Sequence, residues 1–354
     1  MIRITVGNED VTEHLSEGGF LLRRFGALRS TAELTLYFHQ NPTCCPLAGM
    51  EITAYENEDF LWGGIVTSVE IDFHETEKAT FRIRAQGYEQ ILNRLCLPGI
   101  EYEQTLPSAA VTHIIQNHIP VEDGLTVGTV ERGWNSVGDY RFPPARASLV
   151  LDALAAENGH LWWVDKHKAF HMSSVLPFAE GLVSIDLTEQ DEHRLTDLQT
   201  LTYRSSTAGY KNLQYAYNNT KVINGYAVDP TRVLKMKQRY GSGLYGGAMS
   251  SSLVASEQEG QAIAAQILQG IGDTDEIEFT TDEDAFRLGQ VFPVFIPFCG
   301  HTQPESFCVT EIRQVYFYGK FRYTVLAKQT VPGAPLGAKS WEATLAASKR
   351  IEVN

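Results

Sequence analysis

The sequence lacks most of the features that mark the commoner functional classes. It has only five cysteines, Cys44, Cys45, Cys96, Cys299 and Cys308, and no C-x-x-C among them. An odd count in a long chain argues against a disulfide framework, and synthesis in a reducing cytosol is the simplest reading. No apolar run approaches the ~18 residues that a membrane-crossing helix needs, so no membrane anchor is expected. The opening run, Met1 to Val6, reads as a strand and lacks the apolar stretch and cleavage site of a signal peptide. Cations are scarce too: 29 Lys and Arg face 43 Asp and Glu, a formal charge of −14. Gripping phosphates needs clustered cations, so no stable nucleic-acid binding is expected, and an anionic membrane is a poor partner. There is no G-x-S-x-G, no P-loop and no H-E-x-x-H, and nothing selects a carboxylate pair as acid and base. The expectation is a non-enzyme with no catalytic, cofactor-binding or metal residues and no cofactor.

What the sequence does contain is alternation. Its 354 residues suggest two or three domains of roughly 100–200 residues, and 43% hydrophobic with 20% charged residues is ordinary globular usage. Over the first ~95 residues, Ala32 to Phe38, Met50 to Tyr55, Phe60 to Val66 and Thr80 to Ala85 alternate in the period of half-buried strands. Closely spaced short strands suggest a small barrel or sandwich. The middle changes character. A helix is predicted from Ala109 to His118 behind Ser108, and another from Ala147 to Glu157, stopping at Asn158-Gly159. A hairpin follows through Trp162-Trp163 and a turn at Lys166 to Lys168. Strands then return at Leu198 to Ser205, Asn212 to Tyr217 and Val233 to Tyr240, with one helix after Ser256. Val291 to Phe298, Ser306 to Tyr318 and Phe321 to Lys328 complete the set, and Val331 to Gly337 reads as a linker.

Several residue groups invite a chemical reading and are better explained without one. Gly241 to Gly246 matches G-x-G-x-x-G, but the stretch before it is charged and no helix opens at the last glycine. His167 and His171 fall in the predicted hairpin, and His113 and His118, five apart on a helix, should not share a face. Cys44 and Cys45 read as thiols of a loop. The acidic run Asp273, Asp275, Glu276, Glu278, Asp282, Glu283 and Asp284 contains no D-x-[DN]-x-[DN]-G calcium loop, so a solvated face is expected. Trp162 and Trp163 should point to opposite faces of a strand, one in the core and one half-exposed.

The order of motifs carries a resemblance. Phe60-Leu61-Trp62-Gly63-Gly64-Ile65-Val66 is similar to the F-x-G-x-I strand openings of tail proteins. Ala85-Gln86-Gly87-Tyr88-Glu89-Gln90-Ile91-Leu92-Asn93-Arg94 resembles the strand-to-helix D-Y-x-x-L-x-R segment that closes their first barrel, with Gly87 where Asp is usual. Leu154 to Gly159 with Asp165 resembles the L-A-x-x-x-G element that follows. Tyr240-Gly241 is similar to the Y-G loop, and Phe286 to Val294 to the L-x-P-G-x-x-V-x-V strand, with Leu288 in place of Pro. The sequence therefore resembles the baseplate hub proteins of Mu-like and other contractile phage tails, and the related tail-tip proteins of long flexible tails.

That resemblance implies a β-rich α+β chain: a barrel-like domain over 1–97, an α/β module over 98–182, a second barrel-like domain with one helix over 183–330, and a linker and tail over 331–354. It implies a homotrimer at the virion tail tip, made in the bacterial host cytoplasm. Its partners would be the tail spike, the tail tube or distal tail proteins and the tape measure protein. Three copies would form a pseudo-sixfold ring joining a sixfold tube to a threefold spike, and part of the acidic charge would line the lumen. The other readings are a tail-associated cell-wall hydrolase and a carbohydrate-binding β module using Trp162 or Trp163.

Overall fold

The computed structural model describes residues 2–25, 29–39, 45–75, 78–132, 138–157, 160–173, 183–187, 197–218, 223–250, 254, 256–270 and 275–330. The Cys44 position, the expected stop at Asn158-Gly159, the linker and the tail lie outside these residues.

Alternation becomes one large sheet. In the strand Arg29–Phe38, Ser30, Ala32, Leu34, Leu36 and Phe38 are buried while Thr31, Glu33, Thr35 and Tyr37 face the other way. The same pattern in its neighbours builds a sheet of thirteen strands. From one edge the order is Thr200–Ser205, Asp275–Thr281, Lys320–Gln329, Glu305–Phe317, Leu15–Phe25, Arg29–Phe38, Lys78–Gly87, Asp59–Glu75, Glu51–Glu56, Ile2–Val6 and Glu9–Asp10. Val291–Phe295 branches off, pairing with the start of Glu305–Phe317 and, in parallel, with Ile185–Asp186. Strands from the two ends of the chain thus belong to one sheet, joined where Glu305–Phe317 pairs with Leu15–Phe25. The β-rich α+β class stands. The two β regions do not close as separate barrels among the described residues.

They also share one core. Phe20, Leu22, Leu34 and Ile83 from the first region pack in the same apolar cluster as Phe279, Phe292, Phe307 and Val325 from the last. Burying one such side chain contributes about 1.5–3 kcal/mol, so this cluster binds the two regions into one body.

The middle region has its own core. Helices α1 (Gln90–Arg94), α2 (Pro107–His118) and α3 (Ala147–Glu157) supply Ile91, Ile114, Leu151 and Leu154 to it. The hairpin Leu161–Val164 and Ala169–Ser173 adds Trp162 and Phe170, and Thr126–Val130 lies parallel to its second strand. The hairpin turn is set by Asp165, whose Oδ1 accepts the backbone N–H groups of His167 at 2.8 Å and Ala169 at 2.9 Å. Such Asp turns compete well with regular structure.

A third, smaller unit holds three strands in the order Ile223–Val228, Leu213–Asn218, Gly246–Ser250, the last pair parallel. Between the first and last strands of that unit lies α4 (Pro230–Arg239), where the alternation of Val233 to Tyr240 predicts a strand. The local start signal wins. Asp229 caps the helix, its Oδ1 accepting the Arg232 N–H at 3.0 Å, and Pro230 occupies the first turn, where its missing N–H costs nothing. A further helix, α5 (Glu257–Gly270), lies on this small sheet.

Candidate functional site

For a chain without catalytic signatures, the functional element to seek is a surface. The main sheet has an apolar side facing the shared core and an outer side on which polar and charged side chains recur from strand to strand. The register places Arg204, Glu276 and Lys328 in one row and Thr200, Thr280 and Thr324 in another. Further along, Arg23, Thr31 and Gln86 are neighbours, as are Glu33, Arg84 and Ser68. Cations and carboxylates on this face lie against one another. Arg204 lies 3.5 Å from Glu276 and 3.1 Å from Glu278, Lys328 3.2 Å from Glu276, and Arg82 2.6 Å from Asp72. Exposed pairs of this kind contribute only ~0–1 kcal/mol each. Their larger consequence is electrostatic, because each cation in these pairs is offset locally by a carboxylate and is not free to hold a polyanion.

One group in this array is different. At the seam between the two β regions, Arg23 and Arg313 sit directly opposite each other on paired strands. Glu311 lies between them. Its carboxylate accepts Arg23 Nε at 2.7 Å and Nη2 at 2.9 Å, and Arg313 Nε at 2.6 Å. Burial pushes the Glu311 carboxyl up, but the two guanidinium groups outweigh it and hold it below the usual carboxylate range.

A second polar cluster fixes the middle region on the sheet. Glu89, beside α1, is buried, and its Oε1 accepts the Ser30 N–H at 3.1 Å while Trp62 Nε1 donates to Ser30 Oγ at 2.7 Å. Arg29 bridges to Asp152 at 3.0 Å and lies over the Trp162 ring, whose Nε1 also donates to Asp152. Nearby, Tyr88 donates to Glu51 Oε1 at 2.5 Å, and Lys168 sits 3.0 Å from the same carboxylate. Burial and the Glu51 hydrogen bond push the Tyr88 hydroxyl well up, so it stays protonated.

Burial also raises the Glu89 carboxyl, against its backbone hydrogen bonds and Arg29. A folded value above the unfolded ~4.3 means stability that is fully present below ~4.3 and is lost as pH rises through the folded value. Glu89→Gln removes this loss and keeps an acceptor for Ser30. The difference in urea stability, wild type minus E89Q, is therefore expected to fall with rising pH from acid to neutral. A flat difference curve would show that Glu89 does not titrate against folding.

The groups singled out in the sequence do not converge. His171 Nε2 meets Asp165 Oδ2 at 3.2 Å, its Nδ1 accepts the Thr129 N–H at 3.1 Å, and its ring fills the space where a side chain at Gly128 would lie. His167 instead packs on Phe60. His113 and His118 do meet, with ring centroids 5.4 Å apart, because His118 ends α2 and its ring reaches back along the last turn. Tyr102 joins them, its hydroxyl 3.0 Å from His113 Nδ1. Trp162 and Trp163 are both buried, which corrects the half-exposed reading of one of them. Trp162 stacks on Phe170, and Trp163 is covered by the His171 ring.

The loop Gly241 to Gly246 follows a helix and precedes a strand, the reverse of a dinucleotide site. Gly241 and Gly243 take positive φ of 61° and 71°, and buried Asn212 pins the loop by bonding Gly243 O and the Tyr245 N–H. In the acidic run, cations arrive both from another strand and from the following loop. Asp282 is bound by Lys320 and Arg322, and Asp284 by Arg287 at 2.6 Å. Asp273 lies outside the described residues. Among the described residues no three His, Cys, Asp or Glu are placed to hold a metal ion.

The fold as a whole has known counterparts. The chain superposes on a 43 kDa tail protein of the Shewanella oneidensis prophage MuSo2 with a TM-score of 0.68 at 12% identity, covering 92% of this chain and 97% of that one. A tail protein of Neisseria meningitidis MC58 matches equally, with a TM-score of 0.68 at 11% identity over 95% and 98% of the two chains. An Escherichia coli type VI secretion component, itself similar to the T4 phage tail proteins gp27 and gp5, matches with a TM-score of 0.57 at 9% identity over 94% and 78%. No family model matches the sequence, and no curated protein matches it either. The chain therefore has the fold of phage tail proteins and of their relatives in secretion systems. The superposition covers nearly all of this chain and of the two prophage tail proteins.

Proposed function

We propose that the chain is a non-enzymatic hub subunit at the tip of a phage tail or of a phage-like injection particle. The observation that carries this reading is the end-to-end match to prophage tail proteins, which leaves neither chain with a large unmatched segment. On this reading three copies form a ring, with residues 1–97 and 183–330 as its two β regions, 98–182 as an outer module and 331–354 as a tail. The ring joins a sixfold tube to a threefold spike, and its partners are the spike, the tube or distal tail proteins and the tape measure protein. The charge-matched face of the main sheet suits a wall past which DNA slides without being held.

Gold-labelled antibody against the chain, applied to tail particles from the strain that encodes it, is expected to mark one end of each tail. Label along the tube, or particles without the protein, would overturn the placement. Clearing of cell-wall substrate by the purified chain would overturn the non-enzymatic reading.

A further inference from the structure

The chain is acidic overall, and most cations of the main sheet lie against carboxylates. Helix α4 and the loop after it are basic instead, and only two of their cations, Arg232 beside Asp229 and Lys235 beside Asp275, have a carboxylate partner among the described residues. From Pro230 to Gly246 there are four cations, Arg232, Lys235, Lys237 and Arg239, and no Asp or Glu. Two of them serve the fold. Arg232 is buried and donates to Leu268 O at 3.1 Å, and Lys235 donates to Gln329 Oε1 at 3.1 Å. Lys237 and Arg239 are exposed and form no ion pair among the described residues.

Large apolar side chains lie among them. Leu234 is 59% exposed, Leu244 50% and Tyr240 89%. Leu234 and Lys237, three apart, share a helix face. Cations in a last turn favour the helix dipole, which gives Lys237 and Arg239 a local role. That role does not account for Leu234, Tyr240 and Leu244, three large apolar side chains left uncovered within one short segment, the kind of surface that docking would cover.

We propose that α4 and the Tyr240–Leu244 loop form a docking surface whose occupant is an acidic surface of a second copy of this chain. Charge selects the partner: a basic patch on one copy complements the −14 of the next, whereas contact between acidic surfaces is repelled. The apolar side chains favour a protein over a bare polyanion, because phosphates would engage Lys237 and Arg239 and leave Leu234, Tyr240 and Leu244 uncovered. The contact is heterologous, basic patch against a different, acidic surface, so it propagates around a ring and does not close as a two-fold pair. The inference rests on the self-assembling hub reading and names the face that does the assembling.

Light scattering on the full chain at low and high salt tests it. The wild type is expected at a multiple of 39.4 kDa that dissociates as salt rises. The double variant Lys237→Glu, Arg239→Glu is expected to be monomeric at low salt. Tyr240→Ser is expected to weaken association at least tenfold while leaving its salt dependence in place. Circular dichroism and melting of each variant control for fraying of α4. A folded double variant that assembles like the wild type overturns the proposal, and so does a wild type monomeric at every concentration. Retardation of plain duplex DNA by the wild type, lost in the double variant, also overturns it, in favour of a nucleic-acid contact. Tail-tip labelling is independent of these outcomes, so the hub reading can survive with the copies meeting elsewhere.

Discussion

Glu311→Ala is expected to destabilise the protein by about 2–4 kcal/mol in urea unfolding at neutral pH, the largest effect of any single charge on the sheet. The substitution leaves Arg23 and Arg313 opposed across the seam with no anion between them. Breaking a buried pair costs ~3–5 kcal/mol, and the partly exposed guanidinium groups lower that figure through solvent screening. Because the folded carboxyl value is depressed, the pair's contribution is present above the unfolded-state ~4.3 and is lost as pH falls through the folded value. The destabilisation by Glu311→Ala should therefore shrink in acid. Adding Arg313→Ala should recover part of the loss, since the opposed cations are then one. A loss below ~0.5 kcal/mol would mean that the seam is held by its backbone ladder and by the shared core alone.

The second large effect is steric. Gly225 lies on a strand of the small sheet directly under α5, and a Cβ there would collide with the backbone of Gly260, Gln261 and Glu257. Gly260 faces it, with its own virtual Cβ 2.8 Å from Gly225 N. Neither glycine has a positive φ, so what they provide is close approach and not an unusual backbone. Gly225→Ala must lift α5 and open the cluster of Ala216, Val254 and Ala264. Overpacking typically costs 1–3 kcal/mol, and a backbone neighbour cannot yield as a side chain does. A loss of about 3 kcal/mol is expected, with early proteolytic cleavage within α5. Gly260→Ala should cost less, and the double variant should fall short of the sum because both act on one contact. Wild-type stability in Gly225→Ala would show that the helix adjusts freely.

Much of the fold was legible in the chain. Alternation located the strands around Leu34, Ile52, Phe81 and Phe307, and apolar periodicity located α2, α3 and α5. The helix α4 was misread because Val233, Lys235 and Lys237 alternate like a strand, although Asp229-Pro230 was the stronger local signal. Trp163 was misread because strand parity places a residue on a face and says nothing about what covers that face. The ion pairs of the acidic run are not legible in its own sequence because cations such as Arg204, Lys320, Arg322 and Lys328 come from other segments.

The sequence by itself determined the class: a mainly β chain, acidic, without a motif for chemistry, and ordered like a tail hub. Only the tertiary structure decided that the two β regions share one sheet and one core. That decision rests on Glu311 meeting Arg23 across 288 residues of chain and on Phe20 and Phe307 filling one interior. A period of two fixes which side chains share a face, because the backbone repeats locally. Which strands lie side by side depends on packing between distant segments, and no local repeat encodes it.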